Sequence, residues 1–140
     1  INARVGDTLT IGGPRGSLVV PEDYAFQLYV CDESGMPALR RRLEGLLKLN
    51  VRPQVRAVVT VADAAWQDYF AHLSDIDIEW VVGHSEQAVA DKLAAITVEG
   101  EDYFIWLTGE GATVKSLARP FESERYDAQR VRAAAYWHKK

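Results

Sequence analysis

The sequence predicts an α/β domain, a five-stranded parallel sheet with helices on both faces, and two observations support this prediction. Five short, mostly apolar segments alternate with helical patterns between residues 26 and 137, and this alternation is typical of parallel sheets with right-handed crossovers. The strand segments are mostly apolar along their whole length, as expected for strands that helices cover from both sides. A chain of 140 residues is also long enough to bury one core of this kind.

The predicted strands and helices follow each other regularly along the chain. The strands are residues 26–31, 55–62, 76–82, 103–107 and 131–137. Apolar side chains at helical spacing between residues 36 and 47 predict the first helix. Residues 85–96 predict a second helix, and residues 114–121 predict a third, which Pro120 should kink or end early.

The first part of the chain has a different pattern. Residues 8–11 and 17–20 have the composition of two short β segments, and a loop rich in Gly and Pro separates them. Two short strands are not stable by themselves, so we expect them to be the edge of a larger structure that precedes this chain. The predicted organisation is a β remnant over residues 1–24 and an α/β domain over residues 25–140.

Composition and charge narrow the class of function. The net charge is -4 and the pI is about 5.4, which argues against a protein that binds nucleic acid or anionic membranes, since such proteins are normally basic. No run of about 18 apolar residues is present, so we expect no membrane span. The single cysteine, Cys31, cannot form an intramolecular disulfide, which favours a reducing compartment and a cytoplasmic location.

Polar residues follow three of the predicted strands at the points where those strands end. They are Asp32, Glu33 and Ser34 after the first strand, Asp63 after the second, and Thr108, Gly109, Glu110 and Gly111 after the fourth. Ligands of open parallel sheets bind beyond the carboxyl ends of the strands, where the strand order reverses, and helix N-termini at that edge attract anions. The sequence therefore favours a nucleotide site there. Helix capping is an equal alternative for Asp32, Ser34 and Asp63, and Glu110 suits a first helical turn.

Several other functions lack support in the residue pattern. The three histidines have no metal-ligand spacing relative to one another or to Cys31, so we expect no metal site. A receiver-type signalling domain would need an Asp at the end of the third strand, where residues 82–85 are Val-Gly-His-Ser. Core packing is the default expectation for the tryptophans, with Trp137 left open because it ends the last strand; they are Trp66, Trp80, Trp106 and Trp137.

Five short motifs occur in order along the chain. They are Gly6-Asp7-Thr8-Leu9 with Gly13-Pro14-Arg15-Gly16-Ser17, Asp32-Glu33-Ser34 with Met36-Pro37-Ala38, Val61-Ala62-Asp63, Trp106-Leu107-Thr108-Gly109-Glu110, and Tyr136-Trp137. Together they resemble the C-terminal half of the siderophore-interacting proteins, the flavin-dependent ferric-siderophore reductases of the ferredoxin-reductase-like superfamily. The chain departs from the family pattern at Cys31 and Ala135, where the family has Gly, and at Pro120.

The resemblance implies the NAD(P)H-binding domain of an oxidoreductase whose FAD lies mostly in an upstream barrel, so this chain alone should be inactive. NADH or NADPH is expected to dock between Asp32-Glu33-Ser34 and the turn from Thr108 to Gly111, with Gly109, Glu110 and Gly111 facing the nicotinamide and its ribose. Hydride would pass to FAD, and electrons would then reduce a ferric siderophore and release ferrous iron.

The resemblance also implies roles for residues at two further positions. An acid after the second strand accepts from the adenosine ribose in NAD sites, so Asp63 favours NADH over NADPH unless Arg52 or Arg56 compensates. Tyr136 and Trp137 are expected either beside the flavin or in packing between domains.

Two alternatives remain open at this point. The first is a non-catalytic nucleotide- or partner-binding module of the same fold, favoured by Cys31 and Pro120 because they would crowd the diphosphate or distort the crevice. The second is a flavin reductase with another electron acceptor. The sequence also leaves open a ferredoxin that replaces the nicotinamide nucleotide as electron donor.

Overall fold

The computed structural model describes residues 24–98 and 100–139, and its centre is a five-stranded sheet of parallel strands. The strands are β1 (Phe26–Cys31), β2 (Gln54–Val61), β3 (Asp77–Val82), β4 (Tyr103–Glu110) and β5 (Val131–Trp137). Their order across the sheet is β3-β2-β1-β4-β5. The chain first adds strands on one side of β1 and then returns to its other side, so the strand order reverses between β1 and β4. The predicted fold class is confirmed.

Helical segments connect the strands. The α-helices are α1 (Met36–Leu46), α2 (Glu86–Ala94) and α3 (Gly111–Ala118), and a 3₁₀ segment, Ala64–Phe70, connects β2 to β3. The predicted early end of the third helix is confirmed, since α3 stops two residues before Pro120 and a short 3₁₀ turn follows it. Proline has no N–H for the helical hydrogen bond, and its ring clashes with the preceding turn.

Apolar side chains cover both faces of the sheet. On one face, α1 packs Leu39 and Leu43 against side chains such as Val59. On the other face, α2 and α3 pack against a second cluster that contains Leu28 and Leu117. Leu39 and Leu43 are 0% exposed, and burial of one leucine side chain stabilises a fold by about 1.5–3 kcal/mol. The helices therefore lie on both faces, as predicted.

One strand is longer than its sequence suggests. Thr108 and Gly109 were expected in a turn after residue 107, but β4 continues to Glu110. The small side chains of Ala134 and Ala135 on β5 pair with Thr108 and Gly109, and the register shifts between Gly109 and Glu110. Pairing with β5 therefore overrides the turn preference of this glycine-containing segment.

The expectation of core packing is wrong for one tryptophan. Trp106 is 4% exposed and buried as predicted, but Trp66 is 41% exposed. Trp66 lies in the 3₁₀ segment Ala64–Phe70, in which only Phe70 is buried. Trp137, which the sequence left open, is 44% exposed.

Two expectations concern the chain outside the sheet. The β remnant predicted over residues 1–24 lies, except for Tyr24, outside the described residues, and both it and the domain boundary stay predictions. Within the described ranges, the helices are all too short or too polar to cross a membrane.

Candidate functional site

The candidate site lies along one edge of the sheet, where the parallel strands end. We call it the carboxyl edge and define it by residues 31–34, 61–63, 82–85, 108–111 and 136–138, which follow or end β1, β2, β3, β4 and β5. Ligands of open parallel sheets bind at this kind of edge, close to the position where the strand order reverses. In this chain that position is the gap between the ends of β1 and β4.

Asp32 connects the two sides of this gap. Its Oδ1 accepts hydrogen bonds from the backbone N–H of Ser34, at 2.9 Å, and from the Ser34 hydroxyl. Its Oδ2 accepts from Trp137 Nε1 at 2.9 Å. A carboxylate after β1 therefore fixes the indole that ends β5, on the far side of β4.

Two glycines, Gly35 and Gly109, allow the ends of β1 and β4 to lie close together. Gly109 has φ +145°, and a Cβ at this position would lie 3.0 Å from Asp32 Oδ2. A Cβ on Gly35 would lie 2.3 Å from Thr108 Oγ1 and 2.8 Å from the Cβ of Cys31. Thr108 is 4% exposed, and its Oγ1 has no hydrogen-bond partner among the described residues. The seam between β1 and β4 therefore has no space for larger side chains.

Glu33 points toward the other half of the sheet. Its Oε2 accepts from the backbone N–H of Ala62 at 2.6 Å, and its Oε1 accepts from His84 Nε2 at 2.6 Å. His84 has φ +56°, a left-handed conformation that few residues other than glycine adopt. The sequence motifs did not indicate His84 as a site residue. The available signal was its position two residues after the end of β3, following Gly83.

Asp63 lies at the carboxyl edge beyond β2 and is exposed. Its Oδ1 accepts from the N–H of Ala65 at 2.8 Å, so this oxygen caps the Ala64–Phe70 segment, as the capping alternative expected. Arg52 and Arg56 were offered as compensating charges, but the structure contradicts this idea. Arg56 is the third residue of β2, about 23 Å along the strand from Asp63 at about 3.3 Å per residue, and it pairs with Asp77 at 2.9 Å.

Glu110 caps α3 with both carboxylate oxygens. Oε2 accepts from the N–H of Ala112 at 3.0 Å, and Oε1 accepts from the N–H and the hydroxyl of Thr113 at 3.0 and 2.9 Å. The Ala112 N–H, together with Thr113, lowers the pKa of Glu110 to about 2, even though burial acts in the opposite direction. Next to it, a Cβ on Gly111 would lie 2.3 Å from the ring of His138. Glu110 therefore stabilises α3.

Tyr136 and Trp137 form the exposed aromatic end of β5. Tyr136 is 41% exposed and Trp137 is 44% exposed. The Tyr136 ring contacts Trp106 edge to face, with the ring centroids 6.3 Å apart. Partial burial raises the pKa of the Tyr136 hydroxyl, which therefore stays neutral near pH 7. One aromatic ring rests on the core, and its neighbour is held by Asp32.

Two residues favoured a non-catalytic module, and neither has an exposed side chain at the carboxyl edge. Cys31 is 1% exposed and belongs to the core cluster beneath α1. Burial raises the pKa of its thiol, and the charges of Asp32 and Glu33 raise it further, so the thiol stays protonated. Pro120 only ends α3.

The edge offers a hydrogen-bond acceptor and an aromatic surface to a ligand. The exposed Asp63 has a second carboxylate oxygen that can accept from a ligand hydroxyl, and Trp137 presents an indole surface. Free helix N–H groups were expected to hold phosphate, but side chains cap four of the helical segments; the capping residues are Asp32, Asp63, Ser85 and Glu110. Of the described α-helices, α1 alone has no side-chain hydrogen bond at its N-terminus. In the described ranges, no three His, Cys, Asp or Glu side chains are grouped in a way that would hold a metal ion.

Comparison with known proteins gives consistent results. Residues 24–140 match the model of the family described as Siderophore-interacting protein. The chain is 66% identical over 140 residues to the NADPH-dependent ferric-chelate reductase of Escherichia coli (strain K12), a match that covers 100% of this chain and 55% of the relative. The chain therefore spans about half the length of this relative.

Solved structures share the fold. A siderophore utilization protein from T. fusca superimposes with a TM-score of 0.72 at 25% identity, covering 91% of this chain and 49% of that protein. The siderophore-interacting protein from Acinetobacter baumannii superimposes with a TM-score of 0.70 at 18% identity, over 91% of this chain and 52% of that protein. Because the family model matches residues 24–140, the chain belongs to the siderophore-interacting protein family.

Proposed function

We propose that this chain is the nicotinamide-nucleotide-binding part of a ferric-siderophore reductase that uses FAD. One structural observation supports this proposal most directly: Asp32 fixes an exposed indole at the position where the strand order reverses. Nucleotides bind at this position in open parallel sheets. The 66% identity to an NADPH-dependent ferric-chelate reductase supports the same reaction class.

Each residue of the edge has a proposed task. Asp63 accepts a hydrogen bond from the adenosine ribose, and Trp137 provides a flat surface for the nicotinamide or the flavin ring. Asp32 orients that indole through its Nε1–H. Gly109 has no side chain, so the Asp32 carboxylate can approach the backbone there. Glu110 acts indirectly by holding the first turn of α3 in place.

The cofactors supply the redox chemistry, and the protein supplies binding and orientation. When bound, the nicotinamide nucleotide and the FAD of the preceding domain provide the hydride and electron transfers that reduce the ferric ion of a siderophore. Reduction weakens the hold of hard oxygen ligands on the iron, since the ferrous ion has less charge and is softer. We propose that this chain alone, without the flavin domain, has no reductase activity.

We propose NADPH as the electron donor, since the relative is named for it. The sequence alone favoured NADH, because a carboxylate at Asp63 repels a 2′-phosphate. A non-catalytic nucleotide-binding module is the second candidate, because side chains cap α2 and α3 and leave only α1, among the described α-helices, with an uncapped N-terminus for the diphosphate. A ferredoxin donor and an acceptor other than a ferric siderophore are alternatives that the same experiment tests.

The test uses the full-length protein, including the preceding flavin domain. The visible spectrum is recorded, NADPH or NADH is added without oxygen, and a ferric siderophore follows, with a chelator that traps ferrous iron. We expect a flavin spectrum that bleaches with NADPH and recovers as ferrous iron appears. A colourless protein, or a flavin that ignores both nucleotides, would contradict the reductase proposal.

A matched pair of variants tests the site itself. Asp63 and Asp127 both cap 3₁₀ segments through the same kind of bond, at 2.8 and 2.9 Å, but only Asp63 lies at the carboxyl edge. Asp63→Ala should raise the KM for NADH about tenfold, since it also removes a charge-assisted hydrogen bond to the ribose 2′-hydroxyl. The KM for NADPH should not rise, because NADPH carries a 2′-phosphate in place of that hydroxyl and the carboxylate repels it. Asp127→Ala loses a cap alone and should leave KM unchanged. Equal effects of the two variants would count against a ribose contact at Asp63.

A further inference from the structure

Glu33 connects the ends of β1, β2 and β3 through its bonds to Ala62 and His84. We propose that Glu33 and His84 form a clasp that positions the Asp63 turn for the adenosine end of the nucleotide. The inference rests on the proposed function, and it changes the role expected for Glu33 from a cofactor contact to a positioning residue. It also adds His84, which no sequence motif had indicated.

The first half of the clasp is the bond to Ala62. The ladder between β2 and β3 ends at the pair Val61 and Val82, so the N–H of Ala62 lies beyond the last strand pair. Glu33 Oε2 accepts from this N–H at 2.6 Å, and Asp63 is the next residue. A carboxylate that follows β1 therefore fixes the backbone from which the Asp63 side chain projects.

The second half of the clasp is a tight turn after β3. Gly83 has φ +106°, and its N–H donates to the carbonyl oxygen of Val61 at 2.7 Å. His84 follows with φ +56°, which is unfavourable for a residue with a Cβ. Its Nε2 then donates to Glu33 Oε1 at 2.6 Å. A strained residue persists where its surroundings hold it, and here the partner that holds it is Glu33.

Both oxygens of Glu33 are therefore engaged within the protein. The Glu33 side chain is 22% exposed and the His84 side chain 45% exposed, so the carboxylate is the more buried partner. Its two bonds hold the carboxylate against the Ala62 backbone and the imidazole. The geometry is that of a support beneath the Asp63 turn.

The chain contains a second pair of the same chemistry, which serves as a matched control. Glu44 Oε2 accepts from His72 Nε2 at 2.7 Å, and the two side chains are 39% and 44% exposed. This pair connects α1 with the chain that follows the Ala64–Phe70 segment. It holds no backbone N–H of the carboxyl edge.

The experiment measures kcat and KM for NADH with the full-length protein, with the inhibition constant of adenosine 5′-monophosphate as a probe of the adenosine end, because both molecules carry the ribose 2′-hydroxyl that Asp63 accepts from. Glu33→Ala should raise both KM and the inhibition constant about tenfold, the loss expected for one misplaced hydrogen bond. The kcat should stay within about twofold, because the nicotinamide end lies across the sheet. Glu44→Ala should change none of these values.

Two further variants test the pairing. The Glu33→Ala/His84→Ala double variant should be no worse than Glu33→Ala alone, because residues that act through one interaction are not additive. His84→Asn should retain part of the affinity, since Asn tolerates the left-handed backbone and keeps an N–H donor. Additive losses in the double variant would overturn the clasp.

The outcomes also separate this inference from the proposed function. If the unmodified protein oxidises neither NADPH nor NADH, the proposed function fails. If the protein is active but Glu33→Ala leaves KM and the inhibition constant unchanged, the clasp fails and the function stands. If His84→Ala impairs NADPH but not NADH, while Glu33→Ala has no effect, His84 contacts the nucleotide directly and the clasp is wrong.

Discussion

Asp32 and Glu33 are neighbours in sequence, yet they bind opposite halves of the sheet. Asp32 reaches across the end of β4 to Trp137 on β5, whereas Glu33 reaches to Ala62 after β2 and His84 after β3. Asp32 is extended, whereas Glu33 begins a 3₁₀ turn, so the two side chains leave the backbone in different directions. One short acidic segment after β1 can therefore organise the whole carboxyl edge.

The two halves differ in how closely they are packed. A Cβ on Gly109, beside Asp32, would lie 3.0 Å from that carboxylate, whereas a Cβ on Gly83, beside His84, would have no atom within 4 Å. The Asp32 half is a packed seam, and the Glu33 half is an open turn held by side chains. We therefore expect substitutions in the first half to change stability, and substitutions in the second to change nucleotide binding.

The largest expected effect comes from replacing one glycine by alanine in each half, in two separate variants. Gly109 and Gly83 both have positive φ, at +145° and +106°, so alanine strains the backbone at either position by about 1 kcal/mol or more. Gly109→Ala also forces a Cβ against Asp32, which should bring its total to about 3 kcal/mol. Urea unfolding of the full-length protein, followed by tryptophan fluorescence, gives the two free energies of unfolding.

The same pair shows whether the comparison holds. Gly83→Ala should cost less stability than Gly109→Ala and should weaken NADH binding more, because it lies beside the clasp that positions Asp63. If the two variants lose equal stability, the seam at Asp32 is not packed as closely as the distances indicate.

A smaller effect is expected when Trp137 is changed to Phe. The variant keeps an aromatic ring but loses the Nε1–H that donates to Asp32 Oδ2 at 2.9 Å. Since the indole is 44% exposed, water replaces part of this bond, and the loss of stability should be about 1 kcal/mol. The freed ring should also slow flavin reduction by NADPH, measured by stopped-flow absorbance.

Trp66→Phe is the control for this variant. Trp66 is 41% exposed and lies in the segment Ala64–Phe70, away from the gap between β1 and β4. It should change neither the unfolding midpoint nor the rate of flavin reduction. Slowed reduction in Trp66→Phe as well would mean that exposed indoles, and not the bond to Asp32, determine the rate.

The fold was predictable because its signals are local. Five apolar segments separated by helical patterns determined the strands and the sheet type, and Pro120 determined where α3 ends. The end of β4 was not predictable in this way. Its Gly109 is typical of a turn, and only the pairing with the alanines of β5, which begin 24 residues later at Ala133, keeps the segment extended.

The candidate site was predictable in its location but not in its bonds. Capping was one of two alternatives for Asp63, and a first-turn position was one for Glu110, because a cap and its helix are close in sequence. The bond between Glu33 and His84 joins residues 51 positions apart, and no local pattern indicates it. The sequence did contain the signal against Arg52 and Arg56, since Arg52 precedes β2 and Arg56 lies near its start, while Asp63 follows its end.

The smallest expected effect concerns Glu110, which also belongs to the Asp32 half, and it appears as a dependence on pH. The Ala112 N–H and Thr113 lower the pKa of Glu110 from its ordinary value of 4.5 to about 2, so folding favours the ionised carboxylate. The stability that this group contributes is therefore fully present above about pH 4.5 and is lost as the pH falls toward about 2.

Glu110→Gln cannot ionise, and its amide still accepts one helix N–H bond. The difference between the unfolding midpoints of the unmodified protein and this variant, called the gap in midpoints, should be constant from neutral pH down to about 4.5, the ordinary pKa of a glutamate. It should then shrink with further acid. Glu101→Gln, at an exposed position before β4, should show no gap at any pH. A gap for Glu110→Gln that persists unchanged into strong acid would mean that the carboxylate charge does not stabilise α3, and the seam half would then be held by packing alone.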